Sequence, residues 1–308
     1  MTDPPADRPG LPWPPRPAAI IVNRAAGTAR TERTRRAVEL VRRGLDADLI
    51  SVATRDIGEL TEAIGRHRGR YATLVVAGGD GTLSVAYNVL AGSNTVFGYI
   101  PAGFGNATAH LLRLPRDPQA LVATLLAGDA RPLDLVRIDS RLALFAGAGW
   151  DALVAGRYAD GRVRGTLGWA TAIGGAIPAL LKRPTVRLAI DGEPAYEGPM
   201  ELLVAGTTPW FGRGLLVNPG ARPDRGQIRL RLYPGPVSRL AQEAVRWIAR
   251  RSPTVQPWDA TRAELQLLEG ALLPLQADGD RIGLASRWTF TVEPAAVRII
   301  GQWSERSS

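Results

Sequence analysis

Asp80 sits within Ala77-Gly78-Gly79-Asp80-Gly81-Thr82, after the apolar run Tyr71–Val76 and before the helix-forming stretch Leu83–Leu90. A buried strand therefore runs into a turn of three glycines around one acid. Such a turn offers backbone N–H groups and a carboxylate to a phosphate-bearing ligand. Its glycines are expected to allow close approach and positive φ. Ordinary strand–helix turns also use Gly-Gly or Asp-Gly for geometry alone, so the surroundings matter. A second junction, Pro101-Ala102-Gly103-Phe104-Gly105-Asn106, follows a strand expected at 95–100. A third, Ala18–Thr28 with Asn23 and Gly27, has the same strand–turn–helix form. Loops at the carboxyl ends of neighbouring parallel strands share one crevice, so the three together imply one phosphate site.

The three segments resemble the catalytic domain shared by diacylglycerol kinases and sphingosine kinases. That pattern is Asn-Pro-x-(Ser/Ala)-Gly, then Gly-Gly-Asp-Gly-Thr, then Pro-x-Gly-(Thr/Ser)-x-Asn. A fourth element, Leu275–Asp280, is similar to the family's Asp-Gly-Glu, and the resemblance covers residues 18–303. It implies an ATP-dependent lipid kinase that phosphorylates a hydroxyl of a diacylglycerol- or sphingoid-like lipid. By the same resemblance Asp278 is the proton acceptor and Asp280 stands where the family has Glu. Nucleotide contacts are implied for Asn23, Gly27, Thr54 (ending the second strand), Gly78, Gly79, Asp80, Gly81, Thr82, Gly103, Phe104, Gly105 and Asn106. Mg²⁺ is implied at Asp80, with Asp134 supporting it through water.

Asp191-Gly192-Glu193 is a literal Asp-Gly-Glu, but it reads as a hairpin turn early in the second half, and position favours Asp278. Phe104 stands where the family has Thr or Ser. Ala107 stands where diacylglycerol kinases have Asp, although sphingosine kinases also carry Ala there. A degenerate kinase fold that binds nucleotide or lipid without catalysis therefore stays open. NAD kinases share Gly-Gly-Asp-Gly-Thr but carry an Asn-Glu pair, and no Asn-Glu dipeptide occurs in this chain. The family's structural-metal Asp-Asp-Gly is replaced by Asp224-Arg225-Gly226, so no such ion is expected there.

The elements that must position these residues follow from periodicity. Strands are expected at 18–23, 48–54, 71–77, 95–100 and 132–138, with helices between; Asp56–Glu59 is a capping box and Asp117-Pro118 opens a helix. Alternation of this kind argues an N-terminal doubly wound parallel sheet over 18–138. Strand-like runs at 142–147, 185–190, 196–206, 226–233, 263–268 and 272–277, with few helices, argue a β-rich, sandwich-like second domain over 139–288. The last strand, about 289–303, is expected to rejoin the first sheet, and the proline-rich leader 1–17 to be disordered.

Composition sets the outer bounds. The 308 residues carry net charge +9, almost all from arginine, since Lys182 is the one lysine. Arginine makes forked contacts to phosphates, which suits nucleotides and anionic lipid headgroups; no nucleic-acid partner is expected. The absence of cysteine excludes disulfides and thiol chemistry. His67 reads as solvated and His110 as structural. The longest uncharged run, Gly165–Leu181, is short and broken for a spanning helix. Either it is a buried helix or, flanked by Arg162, Arg164, Lys182 and Arg183, it docks peripherally on an anionic membrane from the cytoplasm. Homodimerisation is left open.

Overall fold

The computed structural model describes residues 13–301, apart from Phe104, Arg162, Arg164 and Lys182. Strand and helix alternate through the first half. The order is β1 (Ala18–Asn23), α1 (Glu32–Leu45), β2 (Asp48–Val52), α2 (Ile57–Gly65), β3 (Thr73–Gly78), α3 (Asp80–Leu90), β4 (Val96–Pro101), α4 (Ala107–Leu111), α5 (Pro118–Ala127) and β5 (Ala130–Ile138). Helix starts have local causes. The Thr31 hydroxyl caps α1, the Asp56 carboxylate accepts from Glu59 N to open α2, and Asp117 does the same for α5 with Pro118 at the first position. α1 turns Ala37, Val38, Val41 and Leu45 inward. β3 is buried along its whole length, as a parallel strand covered on both faces must be. β1 pairs in parallel with β2 and β3, and β3 with β4. The resulting order β2-β1-β3-β4 changes direction between β1 and β3, where a crevice opens beyond the carboxyl ends.

The second half comprises β6 (Arg141–Ala143), β7 (Phe145–Gly149), α6 (Trp150–Asp160), α7 (Gly165–Ala176), β8 (Thr185–Ile190), β9 (Glu193–Pro199), β10 (Leu202–Gly206), β11 (Trp210–Phe211), β12 (Leu215–Leu216), β13 (Ile228–Tyr233), α8 (Val237–Ile248), β14 (Trp258–Ala260), β15 (Arg262–Glu269), β16 (Leu273–Ala277), β17 (Asp280–Ala285) and β18 (Arg287–Ile300). It holds more helix than its strand-like runs suggested. Two of those runs are also broken. The run 142–147 divides at Leu144, because Leu144 N and Phe145 N donate to the Asp278 carboxylate. The run 196–206 divides at Met200–Glu201, where the chain passes from one sheet to the other.

β18 joins the halves. It pairs in parallel with β4 at Arg298–Ile299 and antiparallel with β5 and β15. Ten strands thus share one mixed sheet, and β14-β13-β10-β7-β16-β17 form a second. The core is continuous across both: Leu74, Leu83 and Phe97 cluster with Phe145, Leu202, Tyr233 and Ile299.

Residues 1–12 of the expected leader lie outside the described residues. Further along it, Thr73 Oγ1 donates to Pro15 O at 2.6 Å, and Ala72 N and Thr73 N donate to Pro17 O. The entrance of β3 finds its acceptors there, so Pro15–Pro17 are held rather than free. α7 buries Ala172 and Ala176 beside α6. It leaves Leu167 (66%) and Ile173 exposed, as is Ile177 in the 3₁₀ turn that follows. No helix among the described residues is long and apolar enough to cross a membrane.

Candidate functional site

The loops after β1 and β3 are stitched together. Asn23 Nδ2 donates to Thr82 Oγ1 at 3.1 Å, and Asn23 Oδ1 accepts from Ala25 N. Thr28 N donates to Ala102 O at 2.8 Å, which ties in the loop after β4. The resulting groove has a volume of about 270 Å³ and is lined by Asn23, Gly27, Thr54, Gly79, Gly81 and Thr82, with Asp280 on its rim. Thr54 lies two residues past the end of β2, not within it, and its hydroxyl accepts from Asp56 N at 2.9 Å. Gly79 at the N-cap gives α3 no side-chain cap. The start of α3 therefore faces the groove with its dipole and first-turn N–H groups uncovered by any side chain.

The motif glycines act by proximity. None of Gly78, Gly79, Gly81 and Gly103 has a positive φ, contrary to the expectation from sequence. A Cβ on Gly103 would lie 2.6 Å from Gly79 Cα, and one on Gly78 would lie 2.5 Å from Thr82 Cβ. The loops after β3 and β4 thus pack backbone on backbone. Gly81 has open space where a Cβ would go, so the protein itself makes no demand for glycine there. Asn106, at φ +49°, folds back on its own loop: Oδ1 accepts from Gly103 N and Tyr99 OH, and Nδ2 donates to Gly103 O. Gly105 and Asn106 line a different cavity, behind the loop. Phe104 lies outside the described residues.

Asp80 braces the same two loops. Its Oδ2 accepts from Ala107 N at 3.2 Å and its Oδ1 from Thr108 N at 3.4 Å. It thereby caps α4, whose own N-cap Asn106 makes no cap bond. Burial raises the Asp80 carboxyl above its ordinary range, and those N–H donors pull it back.

Asp134 is not beside it. Its two oxygens accept from Gly226 N at 2.6 Å and Ala295 N at 2.8 Å, and it is 4% exposed. β4 and β18 lie between β3 and β5, which by strand spacing alone separates the two aspartates by roughly 14 Å. The structure therefore does not gather Asp80 and Asp134 around one ion. Asp134 instead anchors the β18 bulge and the 223–226 loop. Among the described residues no group of three or more His, Asp or Glu side chains could hold a metal.

Asp278 is brought to the other end of this assembly. It occupies a left-handed turn at φ +51° between β16 and β17 and is buried. Oδ1 accepts from Leu144 N at 3.0 Å and Phe145 N at 3.2 Å, and Oδ2 accepts from Ser84 Oγ at 3.1 Å. Burial pushes this carboxyl well above the usual carboxylate range, against the pull of Phe145, Ser84 and Leu144; the Asp280 charge pushes it further up. Ser84 is one helical turn from Asp80 on α3, so one helix connects the glycine loop to the buried acid. Arg141 Nη2 completes the cluster, donating to Asp280 Oδ2 at 2.7 Å and to Ser84 Oγ at 3.4 Å.

Sequence reasoning missed Ser84 and Arg141. The i, i+4 spacing from Asp80 was the available signal for Ser84; nothing marked Arg141. It also missed Asp151, half-buried at the start of α6, with Gln276 Nε2 donating to Oδ2 at 2.6 Å. Burial lifts the Asp151 carboxyl to about 6. Asp191 is placed in the β8–β9 hairpin turn, where its Oδ1 accepts from Thr261 N, Thr261 Oγ1 and Arg262 N. It takes no part in the groove.

Comparison with known proteins agrees with this geometry. Residues 17–138 match the diacylglycerol kinase catalytic domain. That stretch is similar to this domain, and the rest of the chain lies outside the match. A diacylglycerol kinase of Mycobacterium tuberculosis is 32% identical over 167 residues, 50% of this chain and 52% of that one. The chain thus matches about half the length of this relative. A Pseudomonas aeruginosa protein named "Probable lipid kinase YegS-like" is 28% identical over 244 residues, 74% of this chain and 76% of its own. In fold, the crystal structure of a diacylglycerol kinase from Bacillus anthracis superposes with a TM-score of 0.71 at 15% identity, covering 92% of this chain and 96% of that one. An Archaeoglobus fulgidus NAD kinase in complex with ATP superposes less well, at 0.52 and 14% identity, over 94% of this chain and 95% of that one. The catalytic domain accounts for β1 to β5 and for the glycine loops. Asp278, Asp280 and Asp151 come from the remainder of the chain.

Proposed function

We propose that this protein is an ATP-dependent lipid kinase that transfers the γ-phosphoryl group to a hydroxyl of a diacylglycerol- or sphingoid-like lipid. The observation that carries the reading is the join made by α3. Its uncovered N-terminus faces the groove, and one turn later Ser84 holds Asp278, a buried carboxyl with raised proton affinity. Phosphoryl transfer asks the protein for positioning, charge neutralisation and a proton acceptor. The loops after β1, β3 and β4 supply the first, through Asn23, Thr82 and the α3 N-terminus. Asp278 supplies the last: as the acceptor oxygen bonds phosphorus and the bond to ADP breaks, its proton passes to a carboxylate oxygen of Asp278. The N–H groups of Leu144 and Phe145 hold that carboxylate in place while it is charged. Asp280, tied to Arg141, lines the groove where the family's Glu is expected.

Mg²⁺ suits this arrangement at one carboxylate only. It is commonly held by one or two carboxylates together with substrate phosphates. Asp80 stands at the start of α3, its oxygens meeting the Ala107 and Thr108 N–H groups; Asp134 has both oxygens engaged at a distance. Bound with the nucleotide, the ion would neutralise phosphate charge beside Asp80.

The acceptor lies in a bilayer, so the enzyme docks. The exposed Leu167, Ile173 and Ile177 give α7 and its extension an apolar face for that contact; Arg162, Arg164 and Lys182, expected to flank it, lie outside the described residues. Leu167→Ser/Ile173→Ser should lose flotation with anionic liposomes, and unchanged flotation removes α7 from the contact.

The deciding experiment supplies [γ-³²P]ATP with diacylglycerol, with sphingosine and with NAD in parallel. Label in either lipid supports the reading and names the acceptor class. Label in NAD alone assigns an NAD kinase. Nucleotide binding with no label in any acceptor assigns the degenerate fold.

A further inference from the structure

Behind the loop after β4 lies a second cavity, of about 260 Å³. It opens between the first turn of α1, α4 and the segment Leu114–Arg116, and it does not share a lining residue with the nucleotide groove. Its polar wall is one-signed. Arg33, Arg116 and His110 line it together with Thr34 and Asn106, and no Asp or Glu does. On the same helix as Arg33, Arg35 pairs with Glu32, and Arg42 and Arg43 with Glu39. Arg33 and Arg116 make no ion pair or hydrogen bond among the described residues. A third cation, Arg250, lies over the ring of Trp210, which itself packs against His110. Burial, then the charges of Arg250 and Arg116, hold the His110 imidazole below its usual range. Two guanidinium groups without an ion pair among the described residues and a depressed imidazole make a positive field around one concavity, with no carboxylate in its lining.

We propose that this cavity is a binding site for a phosphate-bearing ligand, separate from the nucleotide groove and adjoining it through the loop after β4. Arginine forks match phosphate oxygens, and the volume, close to that of the groove, admits a phosphomonoester with its organic stem. The link to the groove is physical. Asn106 lines the cavity and fixes Gly103, which packs on Gly79; the next two N–H groups hold Asp80. A ligand that tightens Asn106 therefore tightens the groove wall. The site stands whether or not Asp278 transfers a phosphoryl group.

The chain has only two histidines, His67 and His110, so imidazole NMR on the intact protein reads the cavity directly. Inorganic phosphate, glycerol 3-phosphate, and vesicles of phosphatidylcholine with or without phosphatidate are the probes. An anion seated beside His110 should raise its titration midpoint by about one pH unit, with His67 unmoved. In Arg33→Gln/Arg116→Gln the half-saturating concentration should rise at least about tenfold, while the His67 signal and ADP binding confirm an intact fold. A response to the soluble phosphates assigns a free metabolite. A response confined to phosphatidate vesicles assigns a lipid headgroup. A His110 resonance that ignores every probe, or responds equally in the double variant, overturns the site.

Discussion

Replacing Asp278 by Asn should lower activity and raise stability together. The substitution is nearly isosteric. Oδ1 of the new amide can still accept from Leu144 N and Phe145 N, and its Nδ2 can donate to Ser84 Oγ, which need only rotate its proton. At most one hydrogen bond is weakened, about 0.5–1.5 kcal/mol. Against this stands the cost of the acid. Its folded pKa lies above its unfolded one, so the native state holds the proton more tightly than the unfolded chain. Its contribution is then most favourable below about pH 4 and is lost as pH climbs toward the folded value. The loss cannot exceed the cost of protonating an ordinary carboxyl at neutral pH, about 4 kcal/mol. The variant should therefore melt a few degrees above the parent at pH 7 and level with it, or below it, near pH 4. Phosphoryl transfer should fall by roughly 10²–10⁴ as a general base is lost, with ADP affinity unchanged. Calorimetry across pH and a radiolabel assay read both arms. A variant that keeps near-parental turnover, or whose stability deficit grows with pH, refutes the assignment of Asp278 as a strained base.

The two loop glycines should separate packing from ligand approach. Gly81→Ala should leave the melting temperature unchanged, because the site is open, yet weaken ATP binding in calorimetry; Gly103→Ala should destabilise as well, because its Cβ meets the Gly79 backbone. Asp134→Asn should cost about 1–3 kcal/mol by leaving a buried N–H of Gly226 or Ala295 without its acceptor, and the Mg²⁺ concentration dependence of turnover should not move. Asp151→Asn should stabilise by about 2–3 kcal/mol above pH 6 and by nothing near pH 4, since a carboxyl lifted to about 6 by burial penalises the fold across that window; equal melting temperatures at both pH values would falsify this.

What could be read in the sequence was what is local. The capping residues Asp56 and Asp117, the buried run of β3 and the glycine turn after it each owe their conformation to a few adjacent residues. The site was harder. Asp278 could be named, but not the environment that gives it chemistry, because Leu144 N and Phe145 N are peptide groups with no side-chain signature and lie 133–134 residues away along the chain. The glycines were read as bare backbone for a ligand, whereas Gly79 and Gly103 are fixed by each other, a contact between loops that composition cannot express. The resemblance implied Asp134 as a support for the metal through water; its partners Gly226 and Ala295 come from the loop before β13 and from β18.

The position of β18 also bears on how the chain is made. Val96 of β4 finds its outer partner in Arg298, about two hundred residues later, which at bacterial-like synthesis rates is on the order of 10–40 s of translation. Until then the nascent sheet ends in an unsatisfied edge at β4, and β5 has no neighbour on the side that β18 will fill. The glycine-rich loops can form early, but the surface beside them stays sticky until β18 emerges. A ribosome stalled before Arg287 should therefore display a chaperone-dependent intermediate, not a finished domain.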